Sequence, residues 1–329
     1  SLPPLPPRAP LSLSAVPSTA STKQMGVCSR ISVVVVPLLA FLPLWLRLLT
    51  IRTYPVPAKG IVVITGASSG IGLDAAVALD KQGFTVYAGV RKEEDMQRIS
   101  AEFPSIRPIL LDVTKEAQVY SASEKVAADA KSEEKAVVGL VNNAGISRRL
   151  PVELEDVDAV RSLFDVNFFG VYTVTQAFLP LLRESQGRIV NVGSVANFLP
   201  HPGSSAYSGS KAALKSFTDA LRMEVSKWDM SVSILEPGYV KTKILQKTIG
   251  ENAPWRTADP QKIPLYQKYV DHQEKGRRRS ETMADSTEVT NGAIIHALTS
   301  PTPSIRYVVA NVNGIPSQLV KFLVDVLPE

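Results

Sequence analysis

The sequence predicts an α/β fold, a doubly wound parallel sheet of about seven strands in a single domain behind an N-terminal hydrophobic leader. Three observations predict it. From Ile61 onward, short apolar runs alternate with helical stretches, and such alternation builds right-handed βαβ units with helices on both faces of the sheet. The first apolar run feeds a glycine-rich turn, TGASSGIG (residues 65–72), which opens a helix. No internal repeat or low-complexity tract interrupts the pattern beyond the leader.

The elements follow in order. IVVIT (61–65) reads as the first strand, residues 71–82 as a helix ended by Gly83, and FTVYAGV (84–90) as the second strand. IRPILLDVT gives a third strand ending near Asp112, and VVGLVNNAG gives a fourth. A long helix surrounds Asn167, and GRIVNVGS is the fifth strand. The segment from Tyr207 to Lys227 is helical, SVSILEPG is the sixth strand and IRYVVA (305–310) the seventh. Residues 244–290 form a polar, irregular insertion, in which KGRRRS (275–280) reads as a solvated face. The C-terminal SQLVKFLVDVLP carries a helical stripe of Leu319, Val320, Leu323, Val324 and Leu327, expected to pack against the domain.

Charge separates the chain into two parts. Residues 1–60 contain six basic side chains and no acid, whereas the whole chain is +5, leaving −1 for residues 61–329. The basic character therefore belongs to the leader, which argues against a nucleic-acid partner for the fold. Residues 1–30 are rich in Pro, Ser and Thr and read as a disordered basic leader. Residues 31–51 are a candidate membrane anchor, with Arg47 as the one charge in ISVVVVPLLAFLPLWLRLLT. The alternative is a cleaved targeting leader for a plastid or mitochondrion; an anchor would suit the endoplasmic reticulum membrane. The single cysteine, Cys28, permits no intrachain disulfide, and His201, His272 and His296 show no metal-ligand spacing.

The chemistry is carried by Tyr207 and Lys211, four residues apart in YSGSK and downstream of Ser194. That spacing puts both side chains on one helix face, one turn apart. A phenol beside an ammonium is a proton donor and acceptor, and the neighbouring charge is expected to lower the tyrosine pKa. Upstream, Gly66, Gly70 and Gly72 allow a tight turn through which the backbone approaches a pyrophosphate at a helix N-terminus, with Ser68, Ser69 and Ile71 between them. At the end of the second strand, where an acid selects NAD, this chain has Arg91 and Lys92. Arg91 is the candidate for the 2′-phosphate of NADP; the alternative is a solvated Arg–Lys pair.

Taken together, TGASSGIG, Asp112, NNAG (142–145), Asn167, Ser194, YSGSK and PGYVKT (237–242) resemble the short-chain dehydrogenase/reductase family over about residues 60–245. The resemblance implies a single Rossmann-fold domain over residues 58–329, with 244–290 capping the substrate pocket. It implies that Asp112 and Val113 approach the adenine, that Asn143, Ala144 and Gly145 line the cofactor groove, and that Pro237, Gly238, Val240 and Thr242 hold the nicotinamide end. It assigns Asn167, Ser194, Tyr207 and Lys211 as the catalytic tetrad. Tyr207 exchanges the proton, and Lys211 lowers its pKa and bonds the nicotinamide ribose. Ser194 donates to the substrate oxygen, and Asn167 holds a water linking Lys211 to solvent.

GLVNNAGIS, DALRMEVSKW, EPGYVKT and HALTSPTPSIRYVVA resemble the branch containing retinol, 17β-hydroxysteroid and 3-hydroxybutyrate dehydrogenases. The expected function is thus an NADP-preferring oxidoreductase, with NAD as the alternative cofactor, acting on a lipophilic steroid- or retinoid-like alcohol or ketone. Reduction of a 3-oxoacyl chain or lipid-precursor ketone is a second reading, and a non-catalytic NAD(P)-binding scaffold a third. Membrane association and a homo-oligomer are what the branch implies for partners.

Overall fold

The computed structural model describes residues 52–242 and 253–326, with nothing said of the Arg277 side chain. The leader and the candidate anchor (1–30 and 31–51) lie outside the described residues, as do the first residues of the expected cap and Leu327. Among the described residues, no helix is long and apolar enough to cross a membrane.

The apolar runs emerge as seven parallel strands: β1 (Ile61–Ile64), β2 (Thr85–Val90), β3 (Arg107–Leu110), β4 (Val137–Asn142), β5 (Arg188–Val192), β6 (Ser231–Pro237) and β7 (Arg306–Val309). Their order is β3-β2-β1-β4-β5-β6-β7, and every pairing is parallel. Strand residues alternate faces, so each strand feeds two cores. Ile61, Val63, Leu140 and Ile189 join the core formed with α3 (Glu116–Ser132), α5 (Gly170–Glu184) and α6 (Ser205–Val225). Val62, Ile64, Val141 and Val190 join the opposite core, with α1 (Gly70–Lys81), α2 (Glu93–Glu102) and α8 (Glu288–Thr299). This is the doubly wound architecture the alternation predicts. The strand order reverses between β1 and β4, and a crevice at the carboxyl ends of the strands is where such sheets bind ligands.

The glycine turn is fastened to the end of β4. Thr65 Oγ1 accepts hydrogen bonds from the backbone N–H groups of Asn143 and Ala144, each at 3.0 Å. Asn143 Nδ2 donates to the carbonyls of Thr65 and Gly66, also at 3.0 Å. Gly66 has φ 63°, and a Cβ there would lie 2.7 Å from Ala144 Cα. At Gly72 a Cβ would lie 2.4 Å from Asn143 Nδ2 and 2.7 Å from the Gly66 carbonyl oxygen. Only glycine lets α1 start this close to its own turn.

Three local expectations are corrected, and one element appears that none anticipated. The insertion is not irregular throughout, because Gln267–Thr282 forms a helix, α7. Its sequence gives no apolar stripe, and tertiary bonds hold it instead: Tyr269 Oη and Gln273 Nε2 both donate to the Pro202 carbonyl, and Tyr266 Oη donates to Glu153. The helix around Asn167 is broken by a π segment, Asp165–Phe169, between α4 (Val157–Phe164) and α5. A two-stranded antiparallel ribbon, β8 (Asn311–Val312) with β9 (Ile315–Pro316), follows β7 without a clear sequence signal. The C-terminal helix α9 (Ser317–Val326) does not pack its stripe against the domain. Ser317 alone is buried; of the described stripe residues, Val320 is half-buried, while Leu319, Leu323 and Val324 are 48%, 40% and 41% exposed. The helix touches β7 and the β8–β9 ribbon without burying that stripe.

The Gly72 contacts predict that Gly72→Ala lowers stability by about 1–3 kcal/mol and weakens dinucleotide binding by displacing Asn143. Urea denaturation and cofactor titration by fluorescence check this, and an unchanged midpoint would mean that Asn143 yields freely.

Candidate active site

Helix α6 carries Tyr207 and Lys211, the residues expected to handle the proton, and one of its stripes is buried. Ser208, Lys211, Leu214, Thr218, Leu221 and Val225 are buried along it at helical spacing. Lys211 therefore stands in a row otherwise made of apolar or hydrogen-bonded side chains. It is 4% exposed, and its ammonium donates to the Val192 carbonyl at 2.9 Å. Burial disfavours the charged form, and the Lys211 pKa falls to about 8.

Tyr207, in the first turn of α6, is half-buried and lines the same cleft as Ser194. Burial pushes its hydroxyl above the ordinary value of 10, and the neighbouring Ser194 hydroxyl and the Arg149 charge pull it back. The expected acidification by Lys211 is not met. The Lys211 ammonium lies 6.0 Å from the ring centroid and is engaged with Val192. The nearby charge is instead the Arg149 guanidinium, 5.9 Å from the same centroid.

Ser194 follows β5 and caps the short 3-10 segment Val195–Asn197, its Oγ accepting from Ala196 N at 3.2 Å. Asn167 is fully buried in the π segment. Its Oδ1 accepts from Ile146 N at 2.9 Å, and its Nδ2 donates to the Ile146 carbonyl and to Ser210 Oγ at 3.0 and 3.1 Å. Its side chain thus pins the loop after β4. One Oδ1 lone pair is left over. Asn167 Oδ1 and Lys211 Nζ flank Gly145, at 3.4 and 3.6 Å from where its Cβ would be.

A cleft of about 950 Å³ brings many of the expected residues together. Ile71, Asn143, Gly145, Ser194, Tyr207, Lys211, Pro237, Gly238, Val240 and Thr242 line it. The 237–242 segment is pinned in place by Tyr239 N–H donating to Asn311 O and Lys241 N–H donating to Asp285 O. Thr242 Cγ2 sits 3.1 Å from where a Cβ on Gly70 would be, so the two ends of the expected cofactor site meet. The remaining expected residues do not line this cleft. Gly66, Ser68, Ser69, Gly70 and Gly72 form the turn after β1, Arg91 follows β2, and Asp112 follows β3, all at the same sheet edge. Ala144 packs on Gly66, Asn167 sits behind Gly145, and the Val113 side chain is buried beneath Gly170.

These residues fit a dinucleotide. The turn presents backbone at the α1 N-terminus, where bulk at Gly66 is excluded. Arg91 is exposed and makes no ion pair among the described residues, whereas nearby Arg98 is bonded to the Ser68 carbonyl and to Asp95. Sequence reasoning did not single out Arg149, or the α7 residues Lys268, His272 and Arg279, all of which line the cleft. The α7 residues do recur at helical spacing, but in a segment with no apolar stripe to mark a helix.

Lys211 carries a pH signature. Its folded pKa is depressed, so the fold is penalised for the ammonium below about pH 8, and the penalty fades toward the unfolded value of 10.5. Wild-type stability relative to Lys211→Met should therefore rise by about 2 kcal/mol between about pH 7 and about pH 9.5. Urea unfolding at both pH values measures it; a pH-independent difference would mean that the ammonium is not desolvated.

Comparison with known proteins agrees with this geometry. The family model described as short chain dehydrogenase matches residues 60–253. Estradiol 17-beta-dehydrogenase 2 of Mus musculus is 43% identical over 197 residues, covering 58% of this chain and 50% of that protein. The chain thus spans half the length of that relative. Mitochondrial D-beta-hydroxybutyrate dehydrogenase of Bos taurus is 33% identical over 283 residues, 81% of each chain. A solved short chain dehydrogenase from Burkholderia cenocepacia J2315, in complex with NADP, superposes with a TM-score of 0.61 at 25% identity, over 82% of this chain and 93% of that one. Matched over more than half its length, and with Tyr207, Lys211 and Ser194 lining one cleft and Asn167 behind its wall, this chain is a member of the short-chain dehydrogenase/reductase family.

Proposed function

We propose that the protein is an NADP-preferring oxidoreductase that interconverts an alcohol and a ketone or aldehyde on a lipophilic substrate. The observation that carries this reading is that Tyr207 and Ser194 line the same cleft, one helical turn of α6 from the buried Lys211. When bound, the nicotinamide supplies the hydride in reduction and accepts it in oxidation. The protein's own groups manage the proton. Ser194 donates to the carbonyl oxygen as negative charge grows there. Tyr207 then gives its proton to that oxygen and recovers one through Lys211, whose pKa of about 8 lets it titrate near neutral pH. In oxidation the same groups run in reverse, with Tyr207 accepting the hydroxyl proton.

Two features support the finer parts. Arg91 stands at the end of β2, with no acid before Glu93 and no ion-pair partner among the described residues. The substrate side of the cleft has apolar walls from Ile146, Pro202, Val240, Val312 and Ile315. Residues 31–51 would hold such an enzyme at a membrane, where lipophilic substrates concentrate.

Tyr207→Phe should reduce turnover of a panel of ketones by about 10²–10⁴-fold while leaving NADPH binding measurable by fluorescence. Equal rates would remove the proton role. Arg91→Ala should raise the KM for NADPH by about 10-fold or more, with little change for NADH, since it removes a charge-assisted phosphate bond. A uniform effect on both cofactors would end the NADP assignment.

A further inference from the structure

The substrate side of the cleft is electrostatically one-sided. Arg149, Lys268 and Arg279 line it, together with His201 and His272, and among the described residues no aspartate or glutamate does. The two arginines of SRRL are used differently. Arg148 pairs with Glu155 at 2.6 Å. Arg149, partly buried, makes no ion pair among the described residues and holds its guanidinium 5.9 Å from the centre of the Tyr207 ring. Its charge reaches the reacting hydroxyl and also His201, whose pKa is lowered first by burial and then by Arg149.

Helix α7 segregates its charge in the same sense. Lys268, His272, Gly276 and Arg279 recur at helical spacing on the stripe that faces the cleft. The helix's acids Asp271, Glu274 and Glu281 do not line the cleft, and the first two are bonded to Gln267 and Arg278. Among the described residues this half-buried arginine has no counter-ion and its cleft no acid, an arrangement that an anion would complete.

We infer that the substrate carries a carboxylate, bound by Arg149 near the reacting carbon with Lys268 and Arg279 at the rim. The substrate is then an oxo or hydroxy acid with an apolar body rather than a neutral sterol or retinoid. This inference rests on the oxidoreductase reading of the same cleft and narrows its substrate. Arg149 sets specificity through its planar fork, which matches a carboxylate in two-bond geometry, and the same charge restrains the rise in the Tyr207 pKa.

The test compares 3-oxooctanoate with its methyl ester, which keeps the carbon chain and reacting ketone but lacks the charge. With NADPH and the full chain, kcat/KM for the acid should exceed that for the ester by about 10-fold or more. Arg149→Gln should slow both substrates, because it also strips a charge from beside Tyr207, yet collapse the acid-to-ester ratio toward one through the KM of the acid. Arg149→Lys should restore part of that ratio. An acid-to-ester ratio near one in the wild type, or a ratio that survives Arg149→Gln, overturns the inference while Tyr207-dependent turnover of neutral ketones leaves the broader reading standing. If no ketone is turned over, the broader reading fails, and calorimetric titration with octanoate and with 1-octanol decides the anion site by itself. Octanoate should then bind about 10-fold more tightly than 1-octanol, and the difference should vanish in Arg149→Gln; equal binding of the two refutes the site.

Discussion

A single buried ammonium constrains this site more than any other group. Lys211 occupies a stripe of α6 whose other positions pack against the sheet, so the helix cannot rotate to release the charge without exposing Leu214, Leu221 and Val225. Val192 supplies the carbonyl that holds it, at the end of the strand that leads directly into Ser194. The ammonium thereby locks the register between α6 and β5, and with it the placement of Tyr207 against Ser194. Sites of this kind trade stability for function, and a depressed lysine pKa is the physical trace of that trade.

A second constraint holds the cofactor side. Thr65 and Asn143 tie the end of β1 to the end of β4, across the point where the strand order reverses. Asn143 uses its amide on the carbonyls of the turn itself, so its contribution to the groove is to fix the backbone that a dinucleotide would meet. Asn167 acts on the other side of the same loop through Ile146. The π segment that carries Asn167 is a local departure from helical winding of the kind often found at functional sites.

The outer wall is built differently from the inner one. The strands β1, β2, β4, β5 and β6 are almost wholly buried, whereas α7 is polar and is held by a few long-range hydrogen bonds to Pro202 and by the neighbouring Tyr266–Glu153 bond. Gly203 marks the closeness of that docking, since a Cβ there would coincide with the Tyr269 hydroxyl. Such a wall can bring charged side chains to a cleft whose floor has to remain apolar around the reacting atoms. The basic run that reads as a solvated face in the sequence contributes Arg279 to the cleft because of this docking.

By itself, the sequence determined the parts that depend on local rules. Strand alternation follows from burial on both faces, glycine positions from turn sterics, and the Tyr207–Lys211 juxtaposition from helical pitch, and all three stand in the structure. Tertiary structure alone decided what depends on neighbours distant along the chain. It set the direction of the Tyr207 shift, because burial outweighs the pull of Ser194 and Arg149 while the Lys211 ammonium is engaged with Val192. It also folded α7 from a segment without an apolar period and left the stripe of α9 in solvent. Charge runs have no intrinsic direction, and only packing decides whether they face water or a substrate.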